Sequence, residues 1–262
     1  VLHIDVHGRQ RTARVVLVHG FTQTGRVWGT VAAELARSHQ VVAVDAPGHG
    51  YSEHIRADLW QGARLLGEAG GQAAYIGYSM GGRLCLHLAL TAPYLVRKLV
   101  LVGATAGIDD DTERTARRAA DEVLACELER DGLDPFLDRW LAQPLFAGLT
   151  GDRAERAARR QNTVEGLASS LRLAGTGTQE PLWARLHRLS MPVLVVAGAS
   201  DAKFTALGRR LAEAIGANAR LEVIPEAGHA VHLEQPARFL AAVAPFLAAD
   251  HDSTIPSASN PP

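Results

Sequence analysis

The chain has 262 residues, of which 47% are hydrophobic and 21% charged, with a formal net charge of −1. Those values suit an ordinary globular protein of one large α/β domain or two small ones, and the near-neutral balance gives no global pull toward nucleic acid or an anionic membrane. Cys85 and Cys126 form no C-x-x-C pair and no apolar run approaches the ~20 residues of a membrane span, which argues against a zinc site, a disulfide framework and a membrane-spanning helix.

In chain order, short apolar runs recur: VVLV (15–18), VVAV (41–44), AAYI (73–76), KLVLV (98–102), VLVVA (193–197) and RLEVI (220–224). Continuous runs of this length predict strands of a parallel sheet covered on both faces. Amphipathic patterns at 27–37, 58–69 and 80–91 predict helices between them, so the fold class is α/β, doubly wound and mostly parallel. The alternation stops after Val102. Residues 104–190 hold charged helical stretches, TERTARRAADEVLACELER, PFLDRWLAQ, RAERAARRQ, EGLASSLRL and PLWARLHRL, too long together for a loop. They read as a helical cap over one edge of the sheet, inserted between core segments 1–103 and 191–250. Polar, proline-rich 251–262 reads as a disordered tail. The sequence opens at Val1 rather than a methionine, so a preceding segment can be missing. No signal peptide is visible, the cytoplasm is the expected compartment, and nothing sets an oligomeric state.

GYSMGGR (77–83) places G-x-S-x-G between the strand ending near 76 and the helix opening at 80, the context in which that motif presents a serine nucleophile. Ser79 then needs a base and the base an orienting acid. His229, in EAGHAVHLEQP, follows the last strand; Asp201, in AGASDAKF, follows VLVVA. The order serine, aspartate, histidine is that of an α/β-hydrolase, and both partners sit at carboxyl ends of strands. Among rival histidines, His232 is expected to face the adjacent helix or solvent, His49 to line the entrance, and His19 to lie in a loop whose useful groups are backbone donors. The N–H groups of Phe21 and Met80 are the candidate oxyanion hole. Asp45, in DAPGHGYS, is the rival acid and reads better as a structural turn. Cys85 reads as a small core residue.

Arg83 lies in the first turn of the helix that Ser79 opens, where the helix dipole disfavours a cation by ~0.3–1 kcal/mol. Its side chain leans toward the helix start and can reach the pocket beside the serine. The plainer reading is an ion pair with a carboxylate such as Glu53; the functional one is recognition of a substrate carboxylate.

GYSMGGR with HGF, D-x-K-F (DAKF), DRWLAQPLF, R-x-Q-N (RRQN), SLRLAGTGTQEPLW and AGHAVHLEQP together resemble the MenH family, through most of 15–240. The resemblance implies the α/β-hydrolase fold with a helical cap, and a lyase that eliminates pyruvate from 2-succinyl-5-enolpyruvyl-6-hydroxy-3-cyclohexene-1-carboxylate to give 2-succinyl-6-hydroxy-2,4-cyclohexadiene-1-carboxylate, a step of menaquinone biosynthesis. It implies Tyr78, Arg83, Trp140, Arg159 and Lys203 as substrate-binding positions, with Arg117 or Arg118 as a further contact, a small anionic substrate, and no metal or cofactor. Alone, each cap arginine reads as a solvated helix face and Trp140 as packing between cap and sheet. The alternative function is a serine carboxylesterase, thioesterase or C–C hydrolase on the same fold.

Overall fold

The computed structural model describes residues 1–9, 12–149 and 153–249; the tail expected over 251–262 lies outside them. Seven strands form one sheet in the order β1-β3-β2-β4-β5-β6-β7. They are β1 (Ile4–His7), β2 (Arg14–Val18), β3 (Gln40–Val44), β4 (Ala73–Tyr78), β5 (Val96–Val102), β6 (Val193–Gly198) and β7 (Ala219–Ile224). All neighbours are parallel except β1 against β3. The six apolar runs became β2 to β7. The short IDVH strand was not foreseen: its four residues are half-buried or exposed, so it carries no apolar run, and pairing with β3 alone makes it a strand. The expectation of burial on both faces fails at β7, where half-buried Ala219, Leu221 and Val223 alternate with exposed Arg220 and Glu222 at the sheet edge.

The inner strands do bury both faces. Val16, Val18, Tyr75, Leu99, Leu101, Val193 and Val195 join one core cluster, while Val15, Leu17, Ile76, Val100, Val102, Leu194 and Val196 join the other. This is the two-residue period of a strand sandwiched between helical layers. Each fully buried Val or Leu contributes about 1.5–3 kcal/mol of transfer free energy.

Helices α1 (Gly29–Leu35), α2 (Leu59–Gly70) and α3 (Met80–Thr91) separate the first strands. The first is shorter than the expected 27–37, because a 3-10 turn, Gly25–Trp28, precedes it. A capping box starts α2, with Asp58 accepting from the Gln61 amide and the Gln61 side chain accepting from the Asp58 amide. The cap follows as α4 (Asp111–Asp131), α5 (Leu133–Leu141), α6 (Arg153–Arg159) and α7 (Val164–Ala174). It has its own apolar centre in Ala125, Leu128, Phe136, Leu167, Ala168 and Leu171, against which Phe21 and Trp140 pack. The expected helix PLWARLHRL is a 3-10 turn, Trp183–Arg188, and its Leu182, Leu186 and Leu189 pack with the sheet-side cluster rather than the cap. Then come α8 (Ala202–Ile215), α9 (Val231–Glu234) and α10 (Pro236–Ala248). Among the described residues no helix is long and apolar enough to cross a membrane.

Candidate active site

Ser79 sits between β4 and α3 with φ 50° and ψ −108°, a left-handed conformation that costs a non-glycine residue of order 1–3 kcal/mol. Close packing around the turn enforces it. A Cβ on Gly77 would lie 2.4 Å from the Gly81 carbonyl oxygen, and one on Gly81 would lie 2.2 Å from that of Val18. Ser79 caps α3 by position, yet its hydroxyl makes no capping bond and faces the cavity beneath the cap.

The candidate base and acid arrive from later strands. His229 Nδ1 lies 2.8 Å from Asp201 Oδ2, and its Nε2 lies 3.3 Å from Ser79 Oγ. With the proton on Nδ1, the imidazole donates to the carboxylate and accepts from the serine. Asp201 is fixed by its second oxygen, which accepts from the Phe204 amide and caps α8. Glu234 holds the histidine loop: its carboxylate accepts from the amides of Gly228 (2.7 Å) and Ala230 (3.0 Å), the two neighbours of His229.

The rivals have structural work. Asp45 accepts from the Gly25 and Tyr51 amides at 2.7 and 2.9 Å, so it ties turns together. His19 accepts on Nε2 from the Ala46 amide and bonds the Gly20 carbonyl through Nδ1; burial pushes its pKa down to about 4. Two expectations need correction. His49 does not line the entrance: it is fully buried, edge-on to His19 and Phe21. His232 does not face solvent: it is buried between the rings of Trp28 and Tyr78, with centroids at 4.4 and 4.5 Å. Burial pushes both down to about 3, because a dry apolar site disfavours the imidazolium.

A cavity of about 450 Å³ opens over Ser79, lined by His229, Phe21, Tyr78, Met80 and Trp140 among others. The structure brings Arg83, Arg117, Arg159 and Lys203 to the same walls, with Asp121 as the single carboxylate among these lining residues. Between Arg117 and Arg118, Arg117 is the one that reaches this cavity. Arg83 is buried, and its Nη1 donates to the Ala174 carbonyl at 2.7 Å. Burial and the neighbouring Arg117 push its guanidinium down to about 10, and Asp121 opposes them. Asp121, rather than Glu53, is thus the carboxylate that bears on Arg83 among the described residues. Arg159 is buried and donates to the Thr22 hydroxyl, so it is no solvated helix face. Trp140 packs edge-on to Phe21 with centroids 5.1 Å apart, as its packing reading expected, and it also lines the cavity.

Phe21 and Met80 line the cavity together with Ser79. Thr22 has φ 68°, and the Gly20 amide donates to Gln23 Oε1 at 3.0 Å, which shapes the turn carrying Phe21. Met80 is the first residue of α3, where an amide has no partner within the helix. Asn162, in RRQN, joins cap to core: its Oδ1 accepts from the Gly50 amide at 2.9 Å and its Nδ2 donates to the Thr22 carbonyl at 2.7 Å.

The sequence reading missed Gln23, Asp121, Thr176 and Phe204, all of which line this cavity. For Asp121 a signal was present, since it lies four residues after Arg117, the spacing at which opposite charges pair on one helix face. Thr176 had none, because only the fold brings 174–177 back over α4.

A profile of the alpha/beta hydrolase family matches residues 15–242. A Bacillus subtilis (strain 168) protein, provisionally named a 2-succinyl-6-hydroxy-2,4-cyclohexadiene-1-carboxylate synthase, is 35% identical over 92% of this chain and 92% of its own. The synthase of that name from Enterobacter sp. (strain 638) is 33% identical over 89% of this chain and 91% of its own. The chain belongs to the MenH branch of the alpha/beta hydrolase family. MenH from S. aureus superposes with a TM-score of 0.85 at 27% identity, covering 94% of this chain and 97% of its own. That likeness extends through the cap, where alpha/beta hydrolases of different function differ most.

Proposed function

We propose that this protein is a 2-succinyl-6-hydroxy-2,4-cyclohexadiene-1-carboxylate synthase of menaquinone biosynthesis, releasing pyruvate from 2-succinyl-5-enolpyruvyl-6-hydroxy-3-cyclohexene-1-carboxylate. The observation that carries the reading is the convergence of Arg83, Arg117, Arg159 and Lys203 on the cavity beside Ser79, in a chain whose net charge is only −1. A substrate bearing three carboxylates gives such a cluster its use, since charge-assisted hydrogen bonds to carboxylates are about twice as strong as neutral ones. An ester with an apolar acyl chain would offer this cluster no negative charge to bind.

In this reading Ser79, hydrogen-bonded to His229, takes the ring proton next to the succinyl carbonyl, and the proton passes to Nε2. The electron pair moves through the ring double bond and expels the enolpyruvyl oxygen as pyruvate enolate, which ketonises by taking up one proton while His229 gives up the one it received, so the reaction consumes no net proton. Asp201 stabilises the imidazolium that forms. In the same reading negative charge develops on the succinyl carbonyl oxygen and the amides of Phe21 and Met80 receive it; preorganised donors of this kind typically contribute more to the rate than any other single effect. Tyr78 and Trp140 bound the ring, and the four cations hold the carboxylates. No covalent intermediate is required.

The test is direct: purified protein with the pathway intermediate, with pyruvate measured by coupled NADH oxidation. Pyruvate release that disappears in Ser79→Ala supports the reading. The same triad can also hydrolyse esters, and the enol-lactonase from Burkholderia xenovorans LB400, with a TM-score of 0.77 at 25% identity, is among the fold's neighbours. Fast turnover of short p-nitrophenyl esters without pyruvate formation would decide for hydrolysis.

A further inference from the structure

No residue of the AGTG stretch, 174–177, has a place in the chemistry above, yet this linker runs tightly along the cap helix α4. A Cβ on Gly175 would come within 2.5 Å of Asp121 Oδ2, and one on Gly177 within 2.2 Å of the Arg118 amide nitrogen. Only residues without side chains let the linker pass so close to α4. The Gly177 amide donates to Asp121 Oδ2 at 3.2 Å, and Arg117 Nε donates to Asp121 Oδ1 at 2.8 Å. Both oxygens of Asp121 are therefore engaged, and the residue is only 1% exposed. At the start of the same linker, the Ala174 carbonyl accepts from Arg83. Arg117 and Arg83 come from different layers, α4 of the cap and α3 of the core, and this linker is what both are tied to.

A carboxylate so buried is retained only when well paired, and the geometry of this pair leaves part of its partner free. It engages Arg117 by the Nε edge, so the two terminal nitrogens of that guanidinium have no protein partner among the described residues while Arg117 lines the cavity.

We propose that Asp121 is a positioning residue for substrate binding: with one oxygen held by the Gly177 amide, it fixes Arg117 by its Nε edge through the other, so that the terminal nitrogens of that guanidinium meet a substrate carboxylate in a set orientation. This rests on the reaction proposed above. Asp121 touches no reacting atom; it acts through Arg117, and its loss therefore weakens binding rather than the chemical step.

The decisive measurement is a double-mutant cycle on pyruvate release. Asp121→Asn keeps the shape and an acceptor for Gly177 but loses the charge. It should raise KM about tenfold or more while kcat stays within about threefold, and in an Arg117→Ala background it should add less than about twofold. Equal effects in both backgrounds, or a fall in kcat at constant KM, would show a structural role and overturn the proposal. If Asp121→Asn does not fold, Arg117→Lys, which keeps the cation but has no Nε edge for Asp121 to hold, should raise KM by about tenfold or more; an unchanged KM overturns the proposal. Calorimetry with succinate separates this inference from the reaction itself, since it needs no turnover. Wild type should bind succinate about tenfold more tightly than Asp121→Asn or Arg117→Ala. Equal affinities, or no binding by wild type, overturn the positioning role; wild type that binds succinate but releases no pyruvate overturns only the reaction.

Discussion

Arg83 bonds the carbonyl of Ala174 through Nη1 at 2.7 Å, joining the helix behind the nucleophile to the last residue of the cap helix α7. A cation that the helix dipole disfavours is thereby held in place by the cap, with the rest of its guanidinium beside Ser79 in the cavity. Arg83 is thus one tie between the cap and the helix that Ser79 opens, and the Ser170 hydroxyl at 3.5 Å from the Met80 sulfur is another.

Replacing Arg83 with Ala should raise KM and lower kcat, reducing kcat/KM for pyruvate release by about ten- to a hundredfold. It also leaves the Ala174 carbonyl without its partner, at a cost of about 1–3 kcal/mol. Steady-state kinetics and a thermal melt read the two effects separately. Wild-type kinetics in the variant would reduce Arg83 to a cap fastener.

Two aspartates near strand ends should behave oppositely. Asp201→Asn removes the charge that orients His229 and stabilises its protonated form, so kcat should fall by about 10²–10⁴-fold with little change in melting temperature. Asp45→Asn disturbs a carboxylate bridging the Gly25 and Tyr51 amides. It should lower the melting point, at a cost of about 1–3 kcal/mol, and leave kcat of the folded enzyme near wild type. The reverse pattern would make Asp45 the catalytic acid.

Asn162→Ala deprives the Gly50 amide and the Thr22 carbonyl of a partner. Each orphaned group costs about 1–3 kcal/mol, and the loss falls on the contact that seats the cap. Limited proteolysis should then cut within the cap faster than in wild type, and kcat/KM should drop. Identical cleavage rates would show that the cap is seated by other contacts.

Acid should destabilise the fold through its buried histidines. Burial holds His19 and His87 down to about 4, and His49 and His232 down to about 3, against 6.5 for the free side chain. Above 6.5 these imidazoles are neutral in both folded and unfolded chains and make no difference. As pH falls below it, the unfolded chain binds protons that the folded chain refuses. Stability is therefore lost through the window from 6.5 down to about 4 or 3, by at most about 1.4 kcal/mol per pH unit for each group. The urea midpoint should be lower at about pH 5 than at about pH 7, and His232→Phe, which keeps the ring between Trp28 and Tyr78, should narrow the gap. Equal midpoints at both pH values would contradict this.

Much of this protein was legible in one dimension because its signals are local. Six apolar runs are long enough to be strands under helices, and G-x-S-x-G after one of them marks a turn whose geometry depends on neighbours two to four residues away. The triad order follows from strand ends, which a hydropathy pattern locates well. The edge strand Ile4–His7 was illegible, for its pairing with Val41–Val44 is set by a partner more than thirty residues on and not by its own composition. Burial of His49 and His232 was likewise invisible, since a histidine in a loop or short helix carries no periodic sign of the layer that will cover it.

The sequence alone determined six of the seven strands, the G-x-S-x-G turn and the presence of a charged helical cap, because hydrophobic period and glycine placement act within a few residues. Only the tertiary structure decided which cations serve one cavity, that Arg117 rather than Arg118 reaches it, and that Asp121 holds it there. Those outcomes depend on the linker from 174 to 177 returning across α4, some sixty residues away in the chain. Contacts at that separation are set by how the layers close and leave no local pattern to read.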